Sequence, residues 1–157
     1  MEHGINYVPA EYAAFKPSTL LSPVPAVLVT CAEAGGRPNA ITLAWVGTVC
    51  SEPPMVSISV RPDRFSHGII ERSGEFVVNL VDTARCEILD YCGVKSGRDT
   101  DKFADCGLQA RPMEGLQWAP TADGFPPIWA AGCGRCSISA AMTCSSARLS
   151  RWRCARI

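Results

Sequence analysis

Four short apolar, β-branched stretches separated by turn residues occupy the chain between Ala26 and Val81, and they leave few folds open. Ala26 to Ala32 reads Ala-Val-Leu-Val-Thr-Cys-Ala, which predicts a buried strand. Glu33-Ala34-Gly35-Gly36 supplies a turn whose glycines tolerate positive φ. Asn39 to Cys50 follows as a second predicted strand, with Gly47 as a bulge or a point of close backbone approach. Pro53-Pro54 ends it, Met55 to Val60 alternates as a third strand, and Glu75 to Val81 returns as a fourth. Consecutive strands joined by short turns predict a mainly β, antiparallel meander closing into a small barrel. Short helices flank it. One covers Ser66 to Arg72 with Ile69 and Ile70 inward beside Phe65. A second follows an Asp82-Thr83 cap and carries Ile88, Leu89 and Tyr91 at helical spacing. Ser96 to Asp105 reads as a polar loop with a helical turn at Lys102-Phe103-Ala104, and Leu108 to Met113 as one more strand.

A chain of 157 residues, 47% hydrophobic and 19% charged, has the size and composition of one soluble globular domain. No apolar run reaches the length of a membrane span, and Met1 to Lys16 has no apolar core of a signal peptide, so a cytoplasmic location is expected. The formal net charge is zero, but unevenly so: −5 through Asp123 and +5 from Gly124 onward, where five arginines meet no acid. A generally basic nucleic-acid surface is excluded, and only Trp152 accompanies the terminal arginines. Of nine cysteines, Cys31, Cys50, Cys86, Cys92 and Cys106 are scattered singly and are expected to act as small apolar residues. Cys133, Cys136, Cys144 and Cys154 crowd into the tail. There Cys133-Gly-Arg-Cys136 lacks the second ligand pair of a zinc site and the βα context of a redox dithiol, so no metal is expected.

Several chemistries lack their motif. There is no G-x-S-x-G elbow, no G-x-G-x-x-G after a strand and no Walker loop, while His3 and His67 stand apart. The chemistry-bearing stretch is Arg37 to Asn79. It groups small polar residues on strand edges with arginines and a helix start just after them. Such a face suits a flat heteroaromatic ring bonded by backbone groups, with a phosphate met by the Ser66 N–H, its hydroxyl and Arg64. Equally, Thr42, Ser57 and Ser59 fit the polar sides of half-exposed strands.

The same stretch resembles the flavin reductase-like family of FMN-binding split barrels, which includes flavoredoxins and the reductase components of two-component monooxygenases. The resemblance covers Ser22 to Leu108. It is carried by Pro23-Val24-Pro25-Ala26-Val27-Leu28-Val29-Thr30, Asn39-Ala40-Ile41-Thr42 with Trp45, Ser51-Glu52-Pro53-Pro54, Gly74-Glu75-Phe76-Val77-Val78-Asn79, and Ser96-Gly97-Arg98 with Asp101-Lys102-Phe103. It implies a split β-barrel, antiparallel and Greek-key-like, over residues 1–128. It also implies a homodimer that binds FMN, or FAD in its place, takes hydride from NAD(P)H and supplies a monooxygenase or another electron acceptor. By the family's pattern Asn39, Ala40 and Thr42 lie along the isoalloxazine ring with Cys50 and Ser51 nearby. Ser57, Arg64 and Ser66 approach the ribityl phosphate, Lys102 reaches the site from the Ser-Gly loop, and His67 lies on the helix surface. A non-catalytic flavin-binding electron carrier or barrel is the alternative.

Residues 129–157 depart from the pattern. Within them, Cys133 to Ile157 shows neither strand nor helix periodicity and is rich in Arg, Ser, Ala and Cys, the residues that abound when GC-rich coding DNA is read out of frame. Joining each codon's last base to the next codon's first two, from Ser137-Ile138 onward, permits Asp-Leu-Gly-Ser-His-Asp-Leu-Phe-Leu-Gly-Glu-Val-Val-Ala-Val. That string reads as strand–turn–strand and resembles the family's C-terminal strand pair. The expectation is an out-of-frame tail, with the shift near Ile128 to Ala131, on a domain incomplete at its C-terminal end. Sequencing the coding DNA checks this: the shifted frame is expected to be open and to encode that string, and a frame closed by stops would refute it.

Overall fold

The computed structural model describes residues 21–52 and 54–132. In chain order the elements are β1 (Val27–Cys31), β2 (Asn39–Leu43), β3 (Val46–Ser51), β4 (Pro54–Ile58), α1 (Phe65–Ser73), β5 (Glu75–Asn79), a 3₁₀ turn (Thr83–Arg85), α2 (Cys86–Val94), α3 (Lys102–Asp105), β6 (Ala110–Arg111), β7 (Thr121–Ala122) and β8 (Pro127–Gly132). The main sheet has the order β2-β1-β5-β8 with every pair antiparallel; β3–β4 and β6–β7 form separate two-stranded ribbons. The fold is mainly β with short flanking helices, as the strand spacing predicts. No described helix is long and apolar enough to cross a membrane.

All five residues of β1 are buried, because the sheet is covered on both faces. Val27, Val29 and Cys31 join Ile41, Leu43, Phe76 and Val78 under α1, which contributes Ile69 and Ile70. Leu28 and Ala40 face the other way, toward Cys92, Phe103 and Phe125, with Ile88, Leu89 and Tyr91 of α2 packed around them. The two-residue side-chain repeat of a strand thus serves two cores at once, and each fully buried aliphatic side chain contributes about 1.5–3 kcal/mol. Helix α1 ends where Gly74 turns left-handed (φ 68°) and donates its N–H to the Ile70 carbonyl at 2.8 Å.

Strand β5 uses its alternation differently. Phe76 and Val78 enter the α1 core, whereas Glu75, Val77 and Asn79 hold the segment that follows α3. The Glu75 carboxylate accepts from the successive N–H groups of Gln117, Trp118 and Ala119 at 3.0, 2.7 and 3.0 Å. Val77 packs with Ala119, Met113 and Leu116. Asn79, fully buried, donates to the Leu28 carbonyl (3.1 Å) and to Thr30 Oγ1 (3.0 Å). Its carbonyl oxygen accepts from Thr121 Oγ1 (2.7 Å) and the Ala122 N–H (3.3 Å). Thr30 completes the network by donating to the Pro120 carbonyl at 2.5 Å.

Several expectations are corrected. The stretch Asn39 to Cys50 is not one strand but two, since the chain leaves the sheet at Ala44-Trp45 and β3 pairs with β4 instead. The register irregularity lies between Thr48 and Cys50 rather than at Gly47. Asp82 makes no side-chain cap and pairs instead with Arg85; α2 starts only at Cys86. The strand over Leu108 to Met113 shrinks to Ala110–Arg111, and β7 and β8 were not foreseen. Strand β8 crosses position 128 and pairs with β5 as far as Gly132. The tail beyond it, with Cys133, Cys136, Cys144 and Cys154, lies outside the described residues, as does His3.

Asn79→Ala removes both halves of a buried amide and leaves Thr30, Thr121 and the backbone groups of Leu28, Val77 and Ala122 short of a partner. Urea denaturation is expected to show a loss of about 2–4 kcal/mol with an unchanged denaturant slope.

Candidate functional site

Strand β2 is the edge of the main sheet, with α1 beyond one face and α2 beyond the other. Its outer edge therefore opens into a groove between the start of α1 and the end of α2. The two-residue backbone repeat sets what that edge offers. The Ala40 carbonyl turns outward to accept from Lys102 Nζ, so the backbone groups of Thr42 share the same open edge. Two adjoining clefts, about 360 and 220 Å³, occupy the groove, and both are lined by Ile41, Arg64 and Gly93. The larger adds Ser66, Lys95, Ser96, Gly97, Arg98 and Lys102. The smaller runs past Thr42, Ala44 and Trp45 to Ser59 and Arg61.

The floor of the larger cleft is a buried polar cluster. Asn39 Nδ2 donates to Ser66 Oγ at 2.7 Å, which ties β2 to the first turn of α1. Cys31 lies beneath both, and burial pushes its thiol up to about 12 against the weaker opposing influence of Ser66, Asn39 and the Lys102 charge. Lys102 is 3% exposed; its ammonium donates to the Ala40 carbonyl at 2.8 Å and to the Cys92 carbonyl at 2.7 Å. Burial holds it below the usual lysine range. On the α2 side the Thr42 hydroxyl donates to the Leu89 carbonyl.

The electrostatics favour an anion. Arg64 occupies the position before α1 without capping it, and the first turn of α1 carries no acidic residue. The N–H groups there, with Arg64, Lys95, Arg98 and the Lys102 charge, face one acidic neighbour in the cleft, Asp63, which is itself paired with Arg61 at 2.9 Å. Among the described residues no group of acids, histidines and cysteines is arranged to hold a metal ion.

Of the residues expected at the site, Asn39, Ala40, Thr42, Arg64, Ser66 and Lys102 converge on this groove. Cys50, Ser51 and Ser57 do not line it: they lie on the β3–β4 hairpin, with Cys50 opposite Met55 and Ser57 opposite Gly47. His67 is mostly buried along α1 rather than displayed on its surface, with Nδ1 3.9 Å from Glu71. Of the five scattered cysteines, Cys31 and Cys92 are buried, whereas Cys86 is exposed. The residues not foreseen are Lys95, Arg98 and Arg61. Ser96-Gly97-Arg98 belongs to the motifs of the resemblance, yet its contact with Arg37, just before β2 and 60 residues away in the chain, leaves no trace in local pattern.

A family model described as "Flavin reductase like domain" matches residues 20–131. The chain is 36% identical over 92 residues to the uncharacterized protein YddH of Escherichia coli, which covers 58% of this chain and 49% of that protein. It superposes on flavoredoxin of Desulfovibrio vulgaris (Miyazaki F) with a TM-score of 0.73 and 32% identity, covering 78% of this chain and 67% of the other. It also matches an FMN-binding domain of flavin reductases-like enzyme from Shewanella baltica, with a TM-score of 0.63, 27% identity, and 69% and 56% coverage. Thus the chain spans about half the length of that curated relative and about two thirds or less of these solved chains. The split-barrel fold expected from the sequence is the one these structures share.

The Cys31 thiol provides a check on how dry the floor is. Unfolded cysteine ionises near 9 and folded Cys31 near 12, so between those values the native state keeps a proton that the unfolded state has lost. That contribution is complete below pH 9 and is lost as pH rises toward 12. Relative to Cys31→Val, which cannot titrate, the wild type is expected to lose about 1.5–2 kcal/mol between pH 9 and 10.5 in urea titrations. A gap that does not change with pH would mean that the thiol is solvated.

Proposed function

The chain belongs to the flavin reductase like domain family, and from that membership we propose that the groove along β2 binds FMN and serves NAD(P)H-dependent electron transfer. The carrying observation is the meeting, in one groove, of an open strand edge and an anion-binding corner. The residues fit both halves of such a cofactor. Outward backbone groups at Thr42, beside the Ala40 carbonyl that Lys102 occupies, suit the hydrogen-bonding edge of a flat ring system. Arg64, Ser66 and the uncapped start of α1 suit a phosphate. When bound, the flavin supplies the redox chemistry, accepting hydride from a reduced nicotinamide and passing electrons on.

The protein's own contribution is position and field. Asn39 and Ser66 lock each other, so the phosphate corner and the strand edge keep a fixed separation. The Lys102 ammonium places a positive charge under the groove, favouring an anionic occupant. Trp45, 43% exposed at the mouth of the smaller cleft, and Val49, 37% exposed on the same hairpin, leave an apolar face there. Pairing of two copies would cover that face and bring Cys50, Ser51 and Ser57 toward a neighbouring groove. The likeness to flavoredoxin supports a second reading, an electron carrier reduced by another protein rather than by NAD(P)H.

Fluorescence titration of the full chain is expected to show FMN binding, and Arg64→Ala to weaken it about tenfold with a smaller effect on riboflavin. Anaerobic NADH or NADPH should then bleach the flavin absorbance. Bleaching by a chemical reductant alone selects the carrier, and no flavin binding refutes both readings.

A further inference from the structure

The segment from Lys95 to Asp101 lies over the larger cleft as a strap and supplies it with Lys95, Ser96, Gly97 and Arg98. Gly97 sits against β2 and α1 so closely that a Cβ there would stand 2.3 Å from Asn39 Oδ1 and 2.6 Å from the Phe65 ring. Arg98 donates to the Asp63 carbonyl at 3.0 Å, with its guanidinium over the Phe65 ring. The outer side of the strap is held by one residue that does not line the cleft. Arg37, in the approach to β2, donates through one nitrogen to the carbonyls of Gly97 (2.8 Å) and Thr100 (3.1 Å), and its other nitrogen lies 3.8 Å from the Asp101 carboxylate.

We propose that Arg37 is a positioning residue: by clamping two strap carbonyls it holds Lys95 and Arg98 over the anion corner, and so sets the affinity for the phosphate of the bound cofactor. A planar guanidinium suits the task, since it presents several donors in a fixed fork to the two carbonyls and the carboxylate. The clamp gives the strap a second attachment beside the Gly97 contact and directs its cations inward. This inference rests on the reading of the groove as a site for a phosphorylated flavin.

Two measurements separate the inference from that reading. Wild-type protein titrated with FMN and with riboflavin tests the reading alone, which fails if the phosphate adds no affinity. Arg37→Ala tests the clamp. FMN affinity is expected to fall about tenfold and riboflavin affinity less than about threefold, with Arg37→Lys between wild type and Arg37→Ala. Trypsin is expected to cut after Lys95 or Arg98 faster in Arg37→Ala, a readout that needs no flavin. Gly97→Ala, which forces the strap outward while Arg37 is intact, should give the same FMN-selective loss, and it carries the test if Arg37→Ala does not fold. Equal weakening of both flavins, unchanged FMN affinity or unchanged cleavage would each overturn the proposal.

Discussion

An ammonium group inside the protein, with no carboxylate beside it, is the constraint on which the groove depends. Lys102 has to find acceptors in the interior, and it finds two that the secondary structure leaves over. Ala40 belongs to an edge strand, whose outward carbonyls have no ladder partner, and Cys92 lies in the last turn of α2, whose carbonyls have no partner within the helix. One cation satisfies both and so welds the sheet edge to the helix end. A positive charge at a helix C-terminus is favourable in its own right. The residues between α2 and α3, which begins at that lysine, run across the mouth of the groove.

The strands β1, β2, β4 and β5 were legible in the sequence because each is short, β-branched and bounded by turn residues. What local pattern cannot carry is where a chain changes partner. Ala44 and Trp45 read as a continuation of β2, yet there the chain crosses from the main sheet to the β3–β4 ribbon, a choice made by the α1 core. Strands β6 and β7 are two residues each and owe their place to the Glu75 carboxylate and the Asn79 amide, which lie tens of residues away.

The candidate site was legible to the extent that it is built from one continuous stretch. Asn39, Thr42, Arg64 and Ser66 fall within it, and the structure brings them together. Lys102 came only from the family resemblance, since nothing nearby in sequence marks a lysine as buried. Cys50, Ser51 and Ser57 follow β3 and β4 away from the groove. Arg98 stands in a motif of the resemblance and Arg37 opens the chemistry-bearing stretch, but no role follows for either because their partners are carbonyls, which a sequence does not distinguish from one another.

The cations around the groove also bear on how an anion would arrive. The chain as a whole carries no formal net charge, so a doubly charged phosphate approaching from a distance meets little net field before it meets Arg64, Lys95 and Arg98. In physiological salt the screening length is about 8 Å, which shields the overall charge more than the last contacts. Moderate ionic strength should therefore spare much of the favourable near field. The rate of encounter would then depend on salt far less steeply than a corner with that many positive groups would otherwise imply.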